Sequence, residues 1–274
     1  MEAPNVLNYK CNLTERVKKR YNIKNLLDSD EIYRDCDILI WSGNDNFSID
    51  DFARFPNVKV FLNWGSATSN IPEIDEFARR GIKFENLKNV CTQAVSEFAV
   101  FLLIKLFNRA KPVRKELFQK KVGIIGLGSI GTNVANILSN GFSCDISYFS
   151  RTKKDTQYVY TPLEEIIKKV DALVVSVDSK EFSITVEMLK KATKKLVIVN
   201  ISRDFSIPSL PIIKAIEEGT LPNIDIISDV AVSEELFDRY KDYYTPHIAY
   251  KSEESILLKE NIIVKLIKKY EEGL

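Results

Sequence analysis

Short, compact apolar runs recur along the chain, separated by segments whose apolar residues fall every three or four positions. NVLNY (5–9), DILIW (37–41), VKVFLNW (58–64) and IKFEN (82–86) have strand length and strand composition, and IPEIDEFARRG between the last two has helical spacing. Alternation of this kind predicts parallel sheets with helical crossovers. Near residue 90 the first block ends. TQAVSEFAVFLLIKLFNRA follows, a long helical pattern with Thr92 at the N-cap and apolar residues over much of its surface, as expected of a buried helix.

After the basic connector PVRKELFQKK a second alternating block begins with KVGIIG, a helix from about Ser129, and ISYFS. TPLEEIIKKV predicts a helix with Thr161 as N-cap, Pro162 at the first helical position and acids in the first turn. ALVVSV, the helix TVEMLKKA, LVIVN, the helix SLPIIKAIEEG and IDIISDV continue the pattern, and a last helix runs from about Glu253 to Glu271. No internal repeat interrupts it.

Composition narrows the function classes. With 45% hydrophobic and 28% charged residues the 274-residue chain reads as an ordinary soluble globular protein. A net charge of +1 gives no electrostatic case for nucleic acid or a membrane surface. Cys11, Cys36, Cys91 and Cys144 are widely spaced without a C-x-x-C pair, so neither a metal site nor a disulfide framework is expected. FAVFLLIKLF (98–107), the most apolar stretch, is interrupted by Lys105 and too short to span a bilayer, and the first residues lack the apolar core of a signal peptide. The expected compartment is the cytoplasm.

The strongest local motif is VGIIGLGSIGTNVANIL. Gly126, Gly128 and Gly131 form G-x-G-x-x-G between an apolar strand and an amphipathic helix, the context that dinucleotide binding requires. The first glycine permits the tight turn, the second lets a pyrophosphate approach, and the third allows close packing of helix on strand. Phosphate then meets the free N–H groups at the helix start, Ser129 and Ile130. At the end of the next strand, where an acid would hold the ribose hydroxyl of NAD, the chain reads YFSRTKKD. Ser150, Arg151, Thr152 and Lys153 suit a 2′-phosphate instead, which favours NADP(H) over NAD(H).

The chain contains one histidine, in YTPHIAY (244–250). By itself it is either incidental or a proton donor near physiological pH. GIIGLGSIG, NISR, SDV followed by Glu, and TPHIA, in that order, resemble the D-isomer-specific 2-hydroxyacid dehydrogenase family, and ISYFSRTKK resembles the strand end of its NADPH-preferring glyoxylate/hydroxypyruvate and hydroxyphenylpyruvate reductases. The resemblance implies two doubly wound α/β domains: a flavodoxin-like substrate domain of residues 1–90 plus 250–274, and a Rossmann NAD(P)-binding domain of residues 91–249. It also implies a homodimer acting on a small 2-oxo or 2-hydroxy acid. His247 matches the family's general acid/base, Glu234 the acid that pairs with it, and Arg203 the arginine that binds the substrate carboxylate. Asp229 resembles the residue that holds the nicotinamide carboxamide, Thr92 lies in a family-like helix start near the cofactor, and Gly65, Ser66 and Ala67 match the backbone loop on the other side of the carboxylate.

Several positions depart from the family pattern. Asp204 stands where a glycine usually follows the arginine, Ala67 where a second glycine is usual, and Ser69 where an aspartate is usual; the connector before KVGIIG is short. Two alternatives stand beside a 2-oxo acid reductase: a scaffold relative acting on another small anion such as phosphite, and a dinucleotide-sensing protein of the corepressor type.

Overall fold

The computed structural model describes residues 4–11, 13–26, 31–43, 45–66, 68–109 and 115–272. The chain divides into two compact units, Met1–Val90 with Lys251–Leu274, and Cys91–Tyr250.

The first unit opens with β1 (Val6–Tyr9), α1 (Glu15–Arg20), β2 (Lys24–Asn25), β3 (Ile38–Trp41), β4 (Val60–Asn63), α2 (Ile74–Arg79) and β5 (Lys83–Asn86). The strands are parallel in the order β2-β1-β3-β4-β5. Every residue of β1, β3 and β4 is buried, so both faces of the sheet are covered, as parallel pairing with crossovers requires. Successive side chains alternate between the faces. Leu39 and Phe61 join an aromatic layer with Phe47, Phe52, Phe55 and Phe77, in which Phe47 and Phe61 meet edge to face at 4.8 Å. Ile38, Ile40, Val60 and Leu62 face the other way. The two exposed residues of β2 carry no apolar pattern, and the sequence did not predict this strand.

The second unit contains α3 (Thr92–Phe107), β6 (Lys121–Ile125), α4 (Ser129–Phe142), β7 (Asp145–Phe149), β8 (Val159–Tyr160), α5 (Leu163–Lys169), β9 (Ala172–Val175), α6 (Val186–Leu189), β10 (Leu196–Asn200), α7 (Ser209–Glu217), β11 (Ile224–Asp229), α8 (Glu234–Arg239) and β12 (Tyr244–Thr245). Its parallel sheet has the order β12-β11-β10-β9-β6-β7-β8. On one face α3 and α4 bury Ala99, Leu102, Leu103, Leu106, Val134 and Leu138 against Val122 and Ile124. On the other, Ile166 and Ile212 pack with Leu173, Val175 and Ile198. The order reverses at β6, with β9 on one side and β7 on the other, and the β6–α4 turn lies at that switch point, where doubly wound sheets bind ligands.

Three helix boundaries differ from expectation. Pro162, not Thr161, precedes α5; the Thr161 N–H is committed to the carbonyl of Tyr148, which prolongs the β7–β8 pairing and leaves that residue extended. Thr92 is the first helical residue of α3, and Cys91 holds the cap position. The TVEMLKKA segment yields only four helical residues after Thr185, whose hydroxyl accepts from the Met188 N–H. The last helix, α9 (Glu253–Glu271), belongs to the first unit, starts in a reciprocal Ser252–Ser255 capping box and buries Ile263 and Ile267 against the Ile38/Ile40 face. Among the described residues, no helix is long and apolar enough to cross a membrane.

Candidate active site

The three glycines of the β6–α4 turn have three different physical reasons. Gly126 has φ +93°, and a Cβ there would lie 2.7 Å from the Ser176 carbonyl oxygen. At Gly131, inside α4, a Cβ would lie 2.0 Å from the Gly126 carbonyl oxygen, so only hydrogen allows the helix to start so close to the strand. Gly128 is exposed, and a Cβ there would meet nothing within 4 Å. That open space lies beside the free N–H groups of a 14-residue helix that begins at Ser129, with Ile130 in its first turn, and it fits a pyrophosphate. Ser176 was not anticipated: its hydroxyl donates to the Gly126 carbonyl at 2.8 Å and fastens the turn to the end of β9. A lone serine after an apolar strand carries no sequence signal for that role. Thr92 is half-buried, and its carbonyl accepts from the Ser96 hydroxyl, which also reaches the carbonyl of Ile130 in α4.

At the end of β7 the chain turns through Ser150, Arg151, Thr152 and Lys153. The Ser150 hydroxyl donates to the Thr152 carbonyl at 2.6 Å, and the buried Tyr148 hydroxyl accepts from the Lys154 N–H at 2.8 Å and donates to its carbonyl. Lys153 lies over the Tyr160 ring at 5.3 Å. The basic turn is thus held in shape, with Arg151, Thr152 and Lys153 exposed.

His247 sits just beyond β12 with φ +50°, a left-handed backbone that side chains other than glycine, Asn, Asp and His seldom adopt. Asp229, buried at the end of β11, organises the turn. Its Oδ1 accepts from the Thr245 hydroxyl at 2.6 Å and the Ile248 N–H at 2.8 Å, and its Oδ2 accepts from the Ala249 N–H at 2.9 Å. The Tyr250 ring meets the imidazole edge to face at 5.4 Å. Upstream, Arg109 at the end of α3 bonds Asp225 at 2.6 Å and the Asp242 carbonyl, and lies over the Tyr243 ring, steadying the chain that enters the turn.

Arg203 follows β10 in the same unit. Burial pulls its pKa below the usual guanidinium value, and the nearby Asp178 and Tyr250 oppose that shift. Asp204 turns away from this chemistry: its Oδ1 accepts from the Ser209 N–H at 3.0 Å at the start of α7, so the carboxylate serves a helix end. Glu234 is exposed at the first position of α8, where Ser233 caps the helix.

In the first unit, Gly65 and Ser66 follow β4, while Ala67 lies outside the described residues. Backbone meets backbone here: a Cβ at Gly43 would lie 2.6 Å from the Gly65 Cα. Asn70 ties the two loops together, donating to the carbonyls of Gly43 at 3.1 Å and Asp45 at 2.6 Å. The Ser66 hydroxyl donates to the Leu87 carbonyl at 3.1 Å.

Residues 88–249 match the family model described as D-isomer specific 2-hydroxyacid dehydrogenase, NAD binding domain. A glyoxylate reductase of Pyrococcus furiosus is 30% identical over 251 residues, covering 80% of this chain and 74% of its own. A glyoxylate/hydroxypyruvate reductase A of Arabidopsis thaliana is 30% identical over 217 residues, covering 70% of this chain and 69% of its own. Among solved structures, a 2-hydroxyacid dehydrogenase from Ketogulonicigenium vulgare superimposes with a TM-score of 0.83 at 20% identity, covering 100% of this chain and 96% of that one. An NADPH-dependent glyoxylate/hydroxypyruvate reductase from Sinorhizobium meliloti gives 0.79 at 22% identity, with 98% and 94% covered.

Proposed function

We propose, from the premise that the chain belongs to the D-isomer-specific 2-hydroxyacid dehydrogenase family and is an NAD(P)-dependent oxidoreductase of 2-oxo and 2-hydroxy acids, that it reduces a small 2-oxo acid of the glyoxylate/hydroxypyruvate type with NADPH, using His247 as proton donor. The observation that carries this reading is the Asp229 clamp, which sets the chain's one imidazole in a fixed left-handed turn.

The bound nicotinamide supplies the hydride. Gly126, Gly128 and Gly131, with the N–H groups of Ser129 and Ile130, hold its pyrophosphate, and Thr92 lies beside that turn. Arg151 and Lys153, with the hydroxyls of Ser150 and Thr152, meet the 2′-phosphate through charge-assisted hydrogen bonds. Arg203 grips the substrate carboxylate through its planar fork and so fixes the carbonyl. As negative charge grows on the carbonyl oxygen, protonated His247 donates to it; in the oxidation direction neutral His247 accepts the proton from the 2-hydroxyl. Asp229 keeps the imidazole where that oxygen forms. Its carboxylate holds the turn, which makes it a positioning group for His247 beside the carboxamide contact that the resemblance implies. Glu234 is the acid that the resemblance sets beside the imidazole, and its exposed place on α8 makes it the secondary partner.

Purified protein is mixed with glyoxylate, hydroxypyruvate, pyruvate or phenylpyruvate and either NADPH or NADH, and nicotinamide absorbance is followed. NADPH consumption that His247→Ala abolishes supports the reading. Dinucleotide binding without turnover of any acid points to the sensor alternative. A homodimer is part of the proposal: Phe101 and Ile104, one turn apart on α3, and Phe118 after it are exposed apolar side chains, and sedimentation at micromolar concentration tests it.

A further inference from the structure

The sheet of the second unit ends in a buried polar row. Asn200 of β10, Ser228 of β11 and Tyr244 of β12 are partners in register, and none is more than 2% exposed. They share a face with Ile198 and Ile226, which pack with Ile212 of α7. A buried polar group must find a partner, and each of these finds one near a turn that bears a site residue. The Asn200 Oδ1 accepts from the Ser202 N–H at 2.9 Å and the Ser202 hydroxyl at 2.8 Å, shaping the exit toward Arg203. The Ser228 hydroxyl meets that of Ser209, the first residue of α7, at 2.7 Å. Burial pushes the Tyr244 phenol up to about 12; the charge of Asp204 adds to the rise, and a hydrogen bond with Ser209 opposes it.

Asp204 joins this row to the arginine turn. Pro208 precedes α7 and gives it no side-chain cap, while Ser209 is fully buried. Asp204, five residues upstream, accepts from the Ser209 N–H at 3.0 Å and satisfies a donor that water does not reach. The turn itself is closed by the Ser206 N–H on the Arg203 carbonyl at 3.0 Å, and the Ser206 hydroxyl ties it to the Val177 carbonyl at 3.0 Å. On the far side, Ser228 precedes Asp229 and Tyr244 precedes Thr245, the pair that holds the His247 turn. Polar contacts therefore run from Asp204 through Ser209 to both strands behind the histidine, all inside Cys91–Tyr250.

Resting on the roles proposed above for Arg203 and His247, we infer that Asp204 is a positioning residue of the reaction: its hold on Ser209 locks the turn that presents Arg203 to the two strands that present His247. The guanidinium that grips the carboxylate and the imidazole that protonates the carbonyl oxygen must keep one spacing, and a misplacement of ~1 Å can cost about 10²-fold in rate. The glycine usual at this place in the family could form no such bond.

Asp204→Ala, Asp204→Asn, Tyr244→Phe and the double variant Asp204→Ala/Tyr244→Phe are compared with wild type on glyoxylate and hydroxypyruvate with NADPH. Asp204→Ala should lower kcat about tenfold to a hundredfold while NADPH affinity, followed by nucleotide fluorescence, stays native. Asp204→Asn keeps an oxygen that accepts from the Ser209 N–H and should recover most of the loss. Tyr244→Phe should lower kcat alone and add little to Asp204→Ala, as partners in one network do. A fall in Tm with kcat near native, additive effects in the double variant, or no recovery with Asn overturns the inference. Amide hydrogen exchange is the second readout: in Asp204→Ala, residues 202–209 and residues 245–249 should both exchange faster. Should wild type turn over no acid, the reductase reading falls, yet faster exchange in both segments still upholds the coupling, and a rise confined to residues 202–209 overturns it.

Discussion

Asp229 grips the chain on both sides of His247, accepting hydrogen bonds from Thr245 before it and from Ile248 and Ala249 after it. A left-handed backbone at a residue with a Cβ costs roughly 1–2 kcal/mol, and the clamp offsets that cost. The backbone turn that carries the imidazole is thus held by Asp229 from both sides.

Asp229→Asn should therefore damage activity more than Glu234→Gln. The amide places an NH2 where a buried acceptor is needed, and losing charge-assisted bonds of this kind costs about 1.5–3 kcal/mol each. The expected outcome is a clear fall in Tm together with a fall in kcat for Asp229→Asn, against a near-native Tm for Glu234→Gln. Thermal denaturation and steady-state kinetics on the two variants decide the order.

Replacing His247 by Asn keeps a residue that tolerates the left-handed backbone while removing the proton donor. Reduction should slow by about 10²–10⁴-fold, the usual contribution of a positioned general acid, while NADPH binding followed by nucleotide fluorescence stays native. Lost nucleotide binding would show that the histidine serves the fold of the turn.

Two glycine-to-alanine changes should separate folding from binding. At Gly131 the new methyl would lie 2.0 Å from the Gly126 carbonyl oxygen, so the β6–α4 turn must open and Tm must drop. At Gly128 the methyl enters open space, so Tm holds and the dinucleotide is what it displaces. Differential scanning calorimetry with and without NADPH reads both effects.

Arg151→Ala combined with Lys153→Ala removes the two exposed cations of the Tyr148-braced turn. The KM for NADPH should rise about tenfold or more, from the loss of charge-assisted phosphate contacts, with little change for NADH. Equal effects on both cofactors would place the 2′-phosphate elsewhere.

What the sequence revealed follows from how local each constraint is. Gly126 and Gly131 were legible because the backbone alone forbids a side chain there, and α9 because its cap and its periodicity agree. β2, β8 and β12 are two residues each, too short for an apolar rhythm, and exist because a longer neighbour offers a free edge. Asp229 and Glu234 were read from their spacing to known motifs, which says nothing of where a carboxylate turns. Tertiary context bends Asp229 onto the histidine turn and leaves Glu234 in solvent. Asp204 looked like an intruder beside the arginine, and its bond to the Ser209 N–H appears only once α7 is in place. Tyr148, Ser176 and Asn70 act through side-chain hydrogen bonds to backbone groups of other turns and loops, for which no pattern in the chain exists.

The first unit also carries a consequence for its birth on the ribosome. Among the described residues its five strands are made by residue 86, yet the Ile38/Ile40 face, which Leu13 and Val17 cover in part, is completed only when Ile263 and Ile267 emerge. The intervening 160 residues, Cys91–Tyr250, form a unit of their own and can close during that interval, since domains tend to fold as units in the order of synthesis. Of the two units, the one whose synthesis starts earlier is therefore finished later, and the part of its aliphatic face that awaits α9 is the surface a chaperone would meet on the nascent chain.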